Sequence, residues 1–352
     1  MTNPGRWNVA VLGATGAVGQ TFIRLLEGHP WFTVTEVAAS ERSAGRTYAE
    51  AARWIEGTMP ASVASLRVME CDPKFVTAPI VFSALDAAAA GEVESAFAKA
   101  GRIVLSNAKN YRMEPDVPLV IAEVNGDHLA LIDAQRKNRG WSGAIITNAN
   151  CAATVATVAL APLHEAFGLK TVFLATMQAV SGAGYPGVPS LDILGTVIPF
   201  INEEEPKIER ELPKMLGRLA SGRIEPASFV VSAHANRVAV EHGHTVVMSC
   251  KFEKRPTVES ALAALRNWRG HPGARGLPSA PEYPIIVDDA PDHPQPRRDV
   301  NRGHGMTTTV GRVRTDPVLD LRLVALSHNT IRGAAGGSIL NAEWLAKTGV
   351  FR

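Results

Sequence analysis

The stretch GAIITNANCAATVATVALAPLHEAFG, residues 143–168, sets Cys151 where a short apolar run turns into a helix-like pattern. A cysteine at a helix N-terminus has its thiolate favoured by the helix dipole and by free backbone N–H groups. Free cysteine is also among the most buried residue types, so position alone leaves both roles open. Other stretches shift the balance. MQAVSGAGYPG places Gln178 at the end of a strand-like run, before a glycine-rich loop. NRVAVEHGHTVVMS places Arg237 and His244 on either side of an expected turn. Alternation along the two strands would then let both side chains face one site. An imidazole beside a thiolate is the activated pair of nucleophilic catalysis. An arginine suits two-pronged carboxylate binding. His242 competes with His244 for this role, and His234 does so more distantly.

A second constellation lies near the N-terminus. VAVLGATGAVGQ puts Gly13, Gly16 and Gly19 directly after an expected strand and at the opening of an expected helix. Gly13 permits the tight turn, and Gly16 lets the backbone approach a pyrophosphate held at the helix N-terminus. The spacing is G-x-x-G-x-x-G, so its context carries as much weight as its pattern. The next expected strand, TVTEVAAS, ends at Ser40 and runs into ERSAGRTY. Ser40, Arg42 and Ser43 offer a cation and two hydroxyls where a ribose 2′-phosphate would sit, which favours NADP over NAD. Glu36 and Glu41 are the acidic groups that would argue for NAD.

These residues need elements to hold them. Over the first 150 residues, short apolar runs (NVAVLG, FTVTEVAAS, APIVFSAL, RIVLSNA, GAIITNA) alternate with helix-like segments. That alternation predicts βαβ units and a largely parallel sheet. From about residue 170 longer strands follow one another with fewer helices between them. They predict a mixed or antiparallel sheet with helices on one side. The Pro- and Asp-rich segment GLPSAPEYPIIVDDAPDHPQPRRDV reads as a surface loop with one short strand, and GAAGGSILNAEWLAKTGV as a final helix. The expected organisation is α/β: a nucleotide-binding domain over the first 150 residues, followed by an α+β domain.

Bulk properties narrow the class. The 352 residues fit about two domains, and 46% hydrophobic with 20% charged residues is ordinary for a globular chain. A net charge of +2 without a basic run gives no footprint for nucleic acid. The 3 cysteines, Cys71, Cys151 and Cys250, are too widely and irregularly spaced for a disulfide framework or a zinc site. A reduced, cytoplasmic setting is expected, with no metal. The opening MTNPGRWNVAVLGATG reads as a strand rather than a signal peptide, and no run approaches the length of a membrane span.

Taken together, GATGAVGQ, AASERSAGRTY, VFSALD, LSNAKNYRMEPDVPLVIAEVN, NANC, MQAVSGAGYPG, NEEEPKIERE, NRVAVEHGH and LSHNTIRGAAGGSILNAE resemble aspartate-semialdehyde dehydrogenases over nearly the whole chain. The SNAKN and NTIRGAAGG variants are similar to the archaeal and fungal branch. The resemblance implies a Rossmann-type nucleotide domain joined to a catalytic and dimerisation domain, as in glyceraldehyde-3-phosphate dehydrogenases, with the tail helix returning to the nucleotide domain. It implies NADPH-dependent reduction of L-aspartyl-4-phosphate to the semialdehyde by a homodimer or homotetramer.

It also implies roles. Cys151 corresponds to the nucleophile, His244 to the acid/base catalyst and Gln178 to the residue orienting the substrate. Arg237 corresponds to the partner of the substrate α-carboxylate and Glu204 to that of its amino group. Arg112 and Lys207 correspond to the phosphate-binding pair, with Asn110 nearby on the substrate side. Gly13, Thr15, Gly16, Ala17 and Val18 of the glycine loop would hold the cofactor. Ser40, Arg42, Ser43, Ser83 and Ala84 would join them, with Asn329 on the nicotinamide amide. Cations on a phosphate leaving group are what acyl-phosphate chemistry requires.

The chain departs from the family pattern at Ala149, Ala239 and Ala122, where proline is usual. Pro206 lies inside EEEPKIERE and is tolerated only in the first turn of a helix. It leaves Glu203 and Glu205 as substitutes for Glu204. Malonyl-CoA reductase is similar to the same branch and needs the same Cys–His pair, but its substrate has no amine for Glu204. N-acetyl-glutamyl-phosphate reductase shares the chemistry, but NAKNYRM and RGAAGG fit it poorly. A non-catalytic NADP-binding sensor would have no use for the set Cys151, Gln178, Arg237 and His244.

Overall fold

The computed structural model describes residues 5–351. The first part of the chain supplies β1 (Trp7–Leu12), β2 (Phe32–Ala39), β3 (Val68–Glu70), β4 (Ile80–Ser83), β5 (Ile103–Ser106), β6 (Leu119–Val120) and β7 (Ala144–Asn148). They form one sheet of order β3-β2-β1-β4-β5-β7-β6, and every pairing is parallel. β4, β5 and β7 are buried along their whole length, as the unbroken apolar runs of a parallel sheet covered on both faces require. The strand order reverses between β1 and β4, and open α/β sheets bind ligands at such a switch point.

The later part supplies β8 (Leu169–Gln178), a small ribbon of β9 (Arg218–Ala220) and β10 (Arg223–Glu225), then β11 (Val230–Arg237), β12 (His244–Phe252), β13 (Ile285–Asp288), β14 (Thr308–Thr315) and β15 (Leu321–Ser327). The main sheet has the order β11-β8-β12-β15-β14-β13. The β11–β8 and β13–β14 pairs are parallel and the others antiparallel. The strands β11 and β12 are therefore not neighbours across a turn, as alternation in the sequence suggested. β8 lies between them, and residues 238–243 cross over its end. Arg237 is in register with Gln178, and His244 begins the strand on the other side. One end of the sheet thus gathers all three polar residues.

The cysteine helix, Cys151–Phe167, leaves β7 and is buried at every position from Ala152 to Leu163. A helix apolar on all sides belongs inside, and this one packs in a core with β8, β12 and β15. Its start is fixed by Asn150, whose side chain accepts from the N–H groups of Ala152 and Ala153 at 3.0 and 2.9 Å. The tail returns to the first sheet. Its helix, Gly336–Thr348, places Ile339, Leu340 and Leu345 in the core with Val9, Phe22 and Phe82. A buried Arg332–Glu123 ion pair of 2.6 Å and a His29–Glu343 contact of 2.8 Å tie it down. Ahead of that helix, Ile331–Ala335 forms a π turn, with Gly333 N–H donating to His328 O. Such turns recur at functional sites.

Candidate active site

A cavity of about 450 Å³ lies where the ends of β5, β7, β8 and β11 meet the tail. Cys151 opens into it as the first residue of its helix. The Sγ of Cys151 is 3.1 Å from Nε2 of His244, which is fully buried. On the far side of the ring, the backbone N–H of Ala179 donates to Nδ1 at 3.1 Å. A nitrogen that accepts a hydrogen bond carries no proton, so in the neutral ring the proton sits on Nε2 and points at the sulfur. Burial, followed by the Glu204 carboxylate, pushes the Cys151 thiol up to about 12. Burial, followed by the Arg237 charge, brings His244 down to about 3. The resting pair is thus a thiol and a neutral imidazole.

Around this pair stand the other expected residues. Gln178 closes β8 and donates to Oε1 of Glu204 at 3.0 Å. The Nδ2 of Asn150 donates to the same oxygen at 2.8 Å. Glu204 is buried and lines the cavity; Glu203 lines it too, but is half exposed and pairs with Lys109, and Glu205 accepts from Ala235 N–H. Of the three, Glu204 is the one bonded to Asn150 and Gln178. The helix Glu204–Met215 starts there, so Pro206 falls in its first turn, where no intrahelical N–H is lost. Lys207 stands 3.6 Å from Glu204. Arg237 is anchored by Nη1 on Ala179 O at 2.8 Å. Arg112 lines the cavity but is nearly buried, donating to Glu211 at 3.0 Å and Asn107 O at 2.7 Å. Asn110 does not line the cavity; its side chain donates to Ala87 O. His242 bonds Ser181 rather than the sulfur.

The tail closes this site from one side. An added Cβ on Gly333 would stand 2.7 Å from Cβ of Cys151, so only glycine fits. Asn329 lines the same cavity with both ends of its amide in use, accepting from Gly243 N–H and donating to Ser181 Oγ.

A larger cavity, about 970 Å³, adjoins it at Val18 and Gly184. Gly13, Thr15, Gly16, Ala17 and Val18 line it, with Ser40, Arg42 and Ala84. Gly13 has a φ of +67° and lies so close to β4 that a Cβ would meet Ala84 O at 2.6 Å. No side chain caps the helix Ala17–Leu26, and its first turn holds no acidic residue. That N-terminus, facing a cradle of glycine backbone, suits a pyrophosphate. Arg42 is the single cation among the described residues of this wall, while Glu41, Glu70 and Asp72 also line it. Glu36 is turned away onto Thr77 and Ala78. Ser43 and Ser83 lie outside the lining, Ser83 fully buried beneath it.

The sequence reading missed Asn107, Lys109, Ser181 and Thr330 in the smaller cavity, and Glu70, Cys71, Asp72 and Tyr185 in the larger. Lys109 had one usable signal: it follows the carboxyl end of an expected parallel strand, where such sheets place ligands.

Comparison with known proteins identifies the family. The family described as "Semialdehyde dehydrogenase, NAD binding domain" matches residues 8–132, and "Semialdehyde dehydrogenase, dimerisation domain" matches residues 160–332. An aspartate-semialdehyde dehydrogenase of Archaeoglobus fulgidus is 51% identical, over 97% of this chain and 98% of its own length. One from Schizosaccharomyces pombe is 48% identical, over 97% and 98%. The crystal structure of the Candida albicans aspartate semialdehyde dehydrogenase with NADP superposes with a TM-score of 0.90. It is 42% identical over 98% of this chain and 99% of that one. The chain belongs to the aspartate-semialdehyde dehydrogenase family.

Proposed function

We propose that this protein catalyses NADPH-dependent reduction of L-aspartyl-4-phosphate to L-aspartate-4-semialdehyde, releasing phosphate, through a thioester on Cys151. The observation that carries this reading is the 3.1 Å contact of His244 with Cys151, which shares one cavity with Glu204, Arg237 and Lys207. Glu204 is the acceptor for the substrate ammonium and Arg237 the partner of its α-carboxylate. Lys207 and Arg112 face the phosphate, and Gln178 orients Glu204 and the substrate.

The substrate ammonium offsets the Glu204 charge that holds the thiol up, so binding itself favours the thiolate. A carbon–sulfur bond forms at the acyl carbon as the carbon–oxygen bond to phosphate breaks. The thiol proton departs with the phosphate. Gly13–Val18 would hold the pyrophosphate of NADPH, and Ser40 and Arg42 its 2′-phosphate; the cofactor would supply the hydride that reduces the thioester carbon. The Nε2–H of His244 donates first to the sulfur and then to the oxygen that gains charge. When the carbon–sulfur bond breaks, the electron pair returns to sulfur, which regains a proton from solvent.

Nothing favours the coenzyme A alternative, and a buried Glu204 has no partner in malonyl semialdehyde. We divide the chain into a nucleotide domain, 1–150 with 331–352, and a catalytic domain, 151–330. Assembly as a homodimer or homotetramer is assigned to the second sheet, where Phe173 and Val230 are exposed. Among the described residues no helix is long and apolar enough to cross a membrane, in keeping with a cytoplasmic enzyme of lysine, threonine and methionine biosynthesis. The test is NADP⁺ reduction with aspartate semialdehyde plus phosphate, beside malonyl semialdehyde plus coenzyme A. Turnover with the first pair alone is expected. Turnover with the second pair alone would overturn the substrate assignment.

A further inference from the structure

We infer that Lys109 is a third phosphate-binding cation of this site, held ready by Glu203 and released to the substrate when phosphate enters. The inference rests on the reading that the cavity takes an acyl phosphate. Lys109 lies in the loop that follows β5 and lines the cavity. Its ammonium pairs with Glu203, the residue just before the helix that presents Glu204. Both members line the cavity, and the pair joins the loop of the first sheet to the helix that packs on the second.

The state of the other cations supports this role. Arg112 is nearly buried, with donors already on Glu211 and Asn107 O. Arg237 is pinned to Ala179 O, and Lys207 leans on Glu204. Lys109 differs, because its side chain is 44% exposed and its partner Glu203 is 53% exposed. An exposed ion pair holds its members weakly. A phosphate dianion can therefore exchange for the Glu203 carboxylate without burying an unpaired charge. Glu203 itself has a φ of 57°, a left-handed conformation uncommon for a residue with a side chain. Backbone of that kind concentrates where a site needs a particular side-chain direction. Here it sends Glu203 to Lys109 while Glu204 enters the cavity.

The test is steady-state oxidation of aspartate semialdehyde with phosphate varied, for the unsubstituted enzyme, Lys109→Met, Lys109→Arg and Glu203→Gln. Losing a charge-assisted contact should raise the phosphate KM about ten- to a hundredfold in Lys109→Met. The aldehyde KM should stay near that of the parent, and Lys109→Arg should recover most of the phosphate affinity. Glu203→Gln, which removes the competing carboxylate, should lower the phosphate KM. An unchanged phosphate KM in Lys109→Met beside an active parent overturns this inference alone. So does an equal rise in both KM values, the mark of a merely structural role. An inactive parent would overturn the functional reading and this inference with it.

Discussion

The Nε2 of His244 faces the Sγ of Cys151 at 3.1 Å while Ala179 N–H occupies Nδ1 at 3.1 Å, so the ring is fixed as a donor toward the sulfur. A thiolate–imidazolium pair would need a proton on Nδ1, against the N–H that already points there. The arrangement suits stabilising negative charge on sulfur and oxygen more than storing a proton. It gives the pair a pH signature.

Because burial and Glu204 hold the thiol up at about 12, the free enzyme should gain reactivity toward iodoacetamide as pH rises through the alkaline range. Glu204→Gln removes the negative charge that, after burial, most favours the protonated thiol. Its alkylation profile should therefore shift to lower pH. A shift upward, or none, would show that the carboxylate does not act on Cys151.

Cys151→Ala should abolish turnover and leave NADP affinity near that of the parent, since the larger cavity does not include Cys151. His244→Ala should lower kcat by roughly 10²–10⁴-fold, the range of a positioned donor or acid/base group. Steady-state rates with a cofactor-binding titration separate the two effects. Activity retained by Cys151→Ala would move the nucleophile elsewhere.

Gly333→Ala should displace Cys151, because the added methyl would stand 2.7 Å from its Cβ. The expected result is a fall in kcat larger than any change in cofactor affinity. A variant as active as the parent would mean that the tail can retreat from the cysteine at little cost.

Glu123→Ala should destabilise the fold by about 3–5 kcal/mol, since it strands the guanidinium of Arg332 in a buried position. The double variant Glu123→Leu with Arg332→Met should recover most of the loss. Urea midpoints of the three proteins check this, and a double variant no better than the single one would contradict it.

Much of this was legible in the sequence for physical reasons. Unbroken apolar runs announced β4, β5 and β7 because both faces of a parallel sheet are covered. The apolar run turning into a helix-like pattern announced the helix start at Cys151, and the structure shows Asn150 capping it. The strand order could not be read, since periodicity says which face of a strand is buried and nothing about its neighbour. Arg237 and His244 therefore looked like the two sides of a turn, although β8 separates them. β3 and β6 were missed because strands of 3 and 2 residues carry no period. The π turn at Ile331–Ala335 was missed because no period or capping residue in the sequence marks an i→i+5 bond. Resemblance named Glu204, but only its bonds to Asn150 and Gln178 separate it from Glu203 and Glu205.

The most direct test of the central claim is a single-turnover experiment with aspartate semialdehyde and NADP⁺ in the absence of phosphate, quenched in acid and read by peptide mass. A covalent thioester account predicts a burst of NADPH close to stoichiometric with active sites and an aspartyl adduct on the peptide carrying Cys151, both absent in Cys151→Ala. A full burst with no adduct on that peptide, or an adduct on another residue, would contradict it.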